Sequence, residues 1–183
     1  MADSQLLFLA SRKFDSDKAI RGALLLTDID TKPLEFRCTN PIRPTSLQTV
    51  LYGTMLQRHV MVELIGVPLF NSLKQPPSVV LVEDPDLLWL RAKASVPILQ
   101  VTKESGLDFS SSDSDEKRTT LLSSNSGQFE PVVLVAHRDF GDDIGASVPL
   151  LTQVFNRFDL LEPFHRVLTA LEQVHQQKIG EAK

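Results

Sequence analysis

Ile20-Arg21-Gly22-Ala23-Leu24-Leu25-Leu26-Thr27 decides the fold. This run reads as a β-strand with Ala23-Leu24-Leu25-Leu26 at its centre. Upstream, Leu6 to Ala10 is nearly all apolar and reads as a strand buried on both faces. The charged stretch Lys13 to Lys18 is the turn between them. Downstream, Asp28-Ile29-Asp30-Thr31-Lys32 has the polar, Asp-rich character of a hairpin loop. Leu34 to Thr39 then alternates apolar and polar residues and reads as a half-buried third strand. The chain therefore opens with a three-stranded antiparallel meander.

Pro41 and Pro44 stop the sheet, and Thr45 or Ser46 suits a helix N-cap. Leu47, Leu51, Met55, Val62, Ile65, Leu69 and Leu73 recur at helical spacing and form one stripe. Gly53, Gly66 and Pro68 argue for two helical pieces, with a break near Tyr52-Gly53 or Gly66-Val67-Pro68. Val79 to Val82 reads as a central parallel strand, Asp86 to Lys93 as a short helix and Val96 to Val101 as a further strand. Residues 105–128 are rich in Ser and Asp and read as a flexible loop inside one domain of residues 1–183. Val132 to Ala136 is another buried strand. Val148 to Phe158 and Pro163 to Gln177 are closing helices, the latter with Phe164, Val167, Leu168, Leu171 and Val174 turned inward. The expected class is α/β, with a mixed sheet (three antiparallel strands, then parallel ones) and helices on its faces.

Composition narrows the function. The 183 residues are 42% hydrophobic and 23% charged, ordinary values for one globular domain. Net charge is −4, so any nucleic-acid contact must be a local basic site rather than a general coat. One cysteine, Cys38, excludes an intrachain disulfide and a Cys-based zinc site and predicts a reducing, cytoplasmic setting. Met1-Ala2-Asp3-Ser4 carries no basic n-region, and no stretch approaches the length of a membrane span. No Ser-His-Asp order, phosphate-binding Gly loop or His-rich metal motif is present.

The element order is similar to that of the RNase H-like fold, and local strings resemble the endonuclease V family. Tyr52-Gly53-Thr54-Met55-Leu56, followed by Val62-Glu63, resembles that family's Tyr-containing wedge and the helix with its catalytic Glu. Pro68-Leu69-Phe70-Asn71-Ser72-Leu73 resembles the helix leading into the acidic strand. Ser78-Val79-Val80-Leu81-Val82-Glu83-Asp84 resembles the strand that ends in a catalytic Asp. Val96-Pro97-Ile98-Leu99-Gln100-Val101-Thr102-Lys103 resembles the strand that ends in a functional Lys. Pro131 to His137 and the two closing helices also sit where the family has a strand, a polar turn with a His, and helices. The chain departs from the pattern in four places. Ala10 or Ser11 stands where the family has a first-strand Asp, and Glu83-Asp84-Pro85 replaces its Asp-Gly. Leu51 replaces the Pro before the wedge Tyr, and the long Ser/Asp loop after Lys103 replaces a compact connection.

What the resemblance implies is a nucleic-acid-binding protein with weak, altered or lost metal-dependent nuclease activity. Glu63, Asp84 and Lys103 are its candidate catalytic residues, and Glu63, Glu83 and Asp84 its candidate Mg²⁺ or Mn²⁺ ligands. Clustered carboxylates suit those hard cations, which prefer oxygen ligands. Tyr52, Lys103 and His137 are candidate contacts to DNA or RNA, by stacking and by phosphate binding. Each also has a plainer reading. Glu63 suits a solvated helix face, Asp84 a helix cap, Lys103 a strand end, and Tyr52 and Trp89 a core. His137-Arg138-Asp139, with Asp142-Asp143 beyond, suits a polar turn before a helix. The missing first-strand acid, the acidic balance and the Ser/Asp loop support the other expectation, a protein-interaction or scaffold module that kept the fold.

Overall fold

A computed structural model describes residues 4–106 and 118–181. Its sheet begins with β1 (Leu6–Phe14), β2 (Ala19–Thr27) and β3 (Pro33–Cys38), paired antiparallel in sequence. The first turn takes Asp15, Ser16 and Asp17 through positive φ, a region short polar side chains tolerate. The second turn closes on Asp28, whose Oδ1 accepts from the backbone N–H groups of Asp30 and Lys32, each at 2.9 Å. Every residue of β2 is buried because layers cover both of its faces. The antiparallel, sequential meander is as the sequence predicts, but β1 runs past the expected Ala10 to Phe14, through residues read as the start of the turn, because β2 pairs with it along that whole length.

β4 (Val79–Val82) adds parallel to β1, and β5 (Ile98–Lys103) adds parallel to β4. The expected strand at 96–101 starts later because Pro97 has no N–H to donate, and it contributes only its carbonyl, to the Val80 N–H at 2.9 Å. β6 (Thr119–Leu122) and β7 (Val132–Ala136) form an antiparallel pair, and β7 runs antiparallel to β5. The strand order is β3-β2-β1-β4-β5-β7-β6. β6 corrects the expectation of an unbroken loop over 105–128. Thr119-Thr120-Leu121-Leu122 is short and half-polar, and a neighbouring strand supplies its hydrogen bonds. The expected loop character of 107–117 lies outside the described residues.

Side chains alternate between two cores because strand residues alternate faces. Leu6, Phe8 and Ala10 face one layer, formed by α4 (Asp142–Phe155) and α5 (Glu162–Glu181). Phe8 meets Phe164 edge-on at 5.3 Å there. In α5, Phe164, Val167 and Leu171 are fully buried, while Leu168 and Val174 are only partly so. Leu7, Leu9, Leu24, Val80 and Val82 face the other layer, formed by the helical segment 46–71 and the 3-10 helix Pro85–Lys93.

That segment begins with α1 (Ser46–Tyr52). Thr45 caps it, with Gln48 closing the reciprocal capping box. Gly53, at φ 53°, ends α1 in a conformation that favours glycine. A 3-10 turn (Gly53–Met55), α2 (Leu56–His59), a π-helical stretch (Val60–Gly66) and α3 (Val67–Asn71) follow. Of the two places offered for the expected break, Tyr52-Gly53 has it. At the alternative place, 66–68, the helix continues through a widened turn: Pro68 removes the donor and crowds the carbonyl four residues back. These changes of pitch rotate the apolar stripe. Its second half, Val62, Ile65 and Leu69, is buried, whereas Leu47, Leu51 and Met55 are exposed.

Candidate nucleic-acid interface

Three strands run in parallel, so their C-terminal ends share one edge of the sheet. β1 and β4 leave their paired ladder together after Leu9 and Val82. Ala10 and Ser11 therefore follow on one strand, and Glu83 and Asp84 on the other. Ala10 is buried against the α4–α5 layer, and Ser11 Oγ donates to Met61 Sδ at 3.4 Å. Neither supplies a carboxylate.

Burial raises the Glu83 carboxyl above its usual range, against the opposing charge of Arg12. Burial also raises Asp84, against the hydrogen bond from Asp86 N–H and the charge of Lys13. Asp84 is the N-cap of the 3-10 helix, its Oδ1 accepting from Asp86 N at 2.9 Å. Arg12, and Lys13, which the sequence places in a turn, are thus the cations that act on the two acids.

Glu63 lies elsewhere. Its carboxylate pairs with Lys93 Nζ at 3.0 Å, on the last turn of the 3-10 helix. Lys103 ends β5, exposed, 3.5 Å from Glu130. Among the described residues, no group of three or more His, Cys, Asp or Glu is arranged to hold a metal ion. Glu63 is neutralised by a lysine, Asp84 is used as a cap, and cations flank Glu83 and Asp84. These donors do not fit a two-metal centre.

His137, a candidate nucleic-acid contact with Lys103, lies apart from it. Because β7 runs antiparallel to β5, its end lies beside Leu99 while Lys103 lies beside Val132. His137 is therefore at the opposite edge of the sheet from Lys103. Its ring is buried, its Nδ1 accepts from Asp139 N at 3.2 Å, and its Nε2 has no hydrogen-bond partner. Burial is the main cause that lowers its pKa; Asp139 raises it, and Arg138, Arg118 and Arg58 lower it.

Tyr52 is exposed and packs on His59, ring centroids 4.5 Å apart. It stands at a cleft of about 320 Å³ between the helical segment and the 3-10 helix, with Arg58, Glu63, Trp89 and Lys93 in its wall. Trp89 is half-buried at this cleft rather than a core residue. Arg37, Arg43 and Arg58 form no strip with Lys103, since each pairs locally, with Glu35, Asp15 and Asp86. Asp143 is structural: it binds Arg91 through both oxygens, at 2.6 and 3.1 Å, and ties α4 to the 3-10 helix.

No family model and no curated protein sequence matches the chain. Among solved structures, it is similar to the catalytic domain of human endonuclease V, with TM-score 0.57 and 15% identity over 98% of this chain and 85% of that one. It is similar also to endonuclease V from Streptomyces avermitilis (TM-score 0.57, 14% identity, 97% and 83% covered). The Bacillus subtilis endonuclease V gives TM-score 0.53 and 13% identity, with 94% and 83% covered. At such identities the likeness is one of fold, and that fold is RNase H-like.

Proposed function

We propose that this RNase H-like chain binds nucleic acid and that its metal-dependent cleavage is weak, altered or lost. One observation carries the reading. β1 runs beside β4 and continues through Arg12 and Lys13, so these cations follow Ala10 and Ser11 at the edge where Glu83 and Asp84 follow Val82 and the resemblance calls for metal-binding acids. Lys13 at that edge, beside Arg12, which also pairs with Glu172, attracts phosphate without generating a metal-bound nucleophile. Lys103 extends the basic edge along β5. In this reading the chain works in the cytoplasm on DNA or RNA, with Lys103 and Tyr52 as contacts. Glu63, paired with Lys93, does not join Glu83 and Asp84 as a Mg²⁺ or Mn²⁺ ligand in this reading, so any residual cleavage rests on Asp84 and Lys103.

The test is anisotropy of a labelled short single-stranded oligonucleotide at about 50 and 200 mM salt, where phosphate contacts lose affinity by counterion release. Wild type binds and weakens with salt, while Lys103→Ala and Lys13→Ala bind more weakly. A deoxyinosine-containing strand incubated with Mg²⁺ or Mn²⁺ stays intact or is cut slowly. Fast cutting abolished by Asp84→Asn overturns the loss of activity, and absence of binding overturns the reading as a whole.

A second reading has its own observation. Residues 45–55 are exposed throughout and carry no charge, and Leu47, Val50, Leu51 and Met55 lie among them. An uncharged apolar helix suits a protein partner better than a phosphate backbone. It becomes the function if no oligonucleotide binds and the chain is a scaffold.

A further inference from the structure

Among the described residues, β3 is the last strand on its side of the sheet. Main-chain groups in an antiparallel pair alternate between facing the neighbour and facing away. Thr39 N–H donates to the Gly22 carbonyl at 2.9 Å, and the pairs Leu24↔Arg37 and Leu26↔Glu35 keep that phase. Glu35 and Arg37 therefore direct their N–H and C=O groups to β2, while Phe36 and Cys38 turn theirs outward. Pro33, at the start of the strand, leaves those two outward donors in place. A groove of about 610 Å³ opens at the end of β3, with Arg37, Cys38, Leu64 and Pro68 in its wall. The helical layer thus stops short of the strand and leaves its edge open.

The side chains of β3 say what fits there. Phe36 and Cys38 pack on the core under α4 and α5. Glu35 and Arg37 share the other face and form an ion pair within the chain. Edge strands commonly deter a second copy with charges of one sign. β3 carries opposite charges two residues apart, and that spacing is complementary to itself. An antiparallel twofold axis through Phe36 sets Glu35 opposite the partner's Arg37 and Arg37 opposite the partner's Glu35. The same axis makes Phe36 and the partner's Phe36 the pair that exchanges both main-chain hydrogen bonds. Sliding by two residues either way would bring glutamate onto glutamate or arginine onto arginine. The pair within each chain does not compete, since a carboxylate has two oxygens and a guanidinium five N–H donors. Four side chains close into a ring of alternating charge. Each chain carries −4 overall, so two copies meet best at an element whose own charges cancel.

We infer that β3 is a self-association edge: two copies of this chain pair β3 to β3 about Phe36 and join their sheets into one. The inference goes beyond the nucleic-acid reading and does not depend on it. The strand has six residues, so the dimer forms with rising concentration rather than as an obligate assembly.

The test is sedimentation velocity of the full chain over a concentration series, where wild type passes from monomer to dimer. Glu35→Arg and Arg37→Glu each set like charges opposite one another, so each alone stays monomeric with the wild-type circular dichroism. Mixed in equal amounts, the two variants dimerise, because each supplies the charge that the other lacks. Neither variant regains its internal ion pair on mixing, so that recovery comes only from contact between chains. Amide hydrogen exchange needs no substitution: in wild type, Phe36 and Cys38 slow as concentration rises, while Glu35 and Arg37, already bonded to β2, do not change. Wild type that stays monomeric throughout the series overturns the inference, as does a dimer with unchanged exchange at Phe36 and Cys38. Mixed variants that remain monomeric also overturn it. A dimer that both charge variants keep and Leu51→Ala abolishes belongs to α1, and overturns it too. Oligonucleotide binding is untouched by these outcomes, so the nucleic-acid reading stands or falls separately.

Discussion

The guanidinium of Arg21, fully buried in β2, lies 3.3 Å from Nδ1 of His175 on α5. It donates also to the Thr39 carbonyl at 3.0 Å and meets Cys38 Sγ at 3.7 Å. Arginine only donates, so Nδ1 of His175 accepts, and Nε2 carries the proton toward Asp15 Oδ1 at 3.2 Å. Phe14 stacks on the same ring at 4.1 Å. Sheet and helix are thus joined by a polar clip inside an apolar layer. His175→Ala removes one partner of a buried charge and should cost roughly 1–3 kcal/mol in urea denaturation. A midpoint equal to wild type would show that Arg21 needs only its β3-side partners.

The clip has an acid limit. Arg43 foremost, and then His175, hold the Asp15 carboxyl below its usual range through hydrogen bonds. A depressed carboxyl stabilises the fold above its ordinary value near 3.8 and loses that contribution as pH falls through the native value. Asp15→Asn should lower stability at neutral pH, and the gap to wild type should close in acid. A gap independent of pH would remove Asp15 as its cause.

Glu83 and Asp84 carry the opposite sign. Burial raises both, so folding favours their protonated forms. Their destabilising contribution is absent below the ordinary values near 4.5 and 3.8 and grows as pH rises through the native ones. Glu83 is exposed to solvent, which screens the effect, so Glu83→Gln should raise the melting temperature only slightly at neutral pH, with the gain vanishing at acidic pH. Asp84→Asn keeps the cap and should behave alike. A loss of stability at neutral pH would mean that Arg12 and Lys13 outweigh the burial.

Gly22 lies under Ile65. A Cβ at position 22 would meet Ile65 Cγ2 at 2.0 Å, and Ile65 is fully buried. Gly22→Ala should cost roughly 1–3 kcal/mol by overpacking. Adding Ile65→Ala should recover part of that cost, a coupling that a double-mutant cycle measures. Strict additivity would place the strain elsewhere.

Two leucines of opposite burial test the layers. Leu171 on α5 is fully buried, and Leu171→Ala should cost about 2–4 kcal/mol. Leu51 on α1 is 73% exposed, and Leu51→Ala should stay within about 0.5 kcal/mol of wild type. A large loss at Leu51 would reveal a partner or a second copy covering α1.

The sequence by itself determined the opening meander, β4, and the inward face of α5 at Phe164, Val167 and Leu171. Each is written in local periodicity, which the backbone's own repeat makes readable. The helix cap (Thr45 or Ser46) and the break (Gly53 or 66–68) were narrowed to two places each by the same local signals, and the structure selects Thr45 and Gly53. Only tertiary structure decided the rest. β6 exists because β7 offers it hydrogen bonds, not because Thr119-Thr120-Leu121-Leu122 demands a strand. The reversed direction of β7 carries His137 away from Lys103, and strand direction is a property of pairing that periodicity does not encode. Glu63 meets Lys93, and Arg58 and Arg138 meet Trp89, across 30, 31 and 49 positions of chain (93 − 63, 89 − 58 and 138 − 89). Such distant charges meet only once burial of Met61, Ile65, Leu87 and Leu90 has fixed how the two helical elements lie on the sheet.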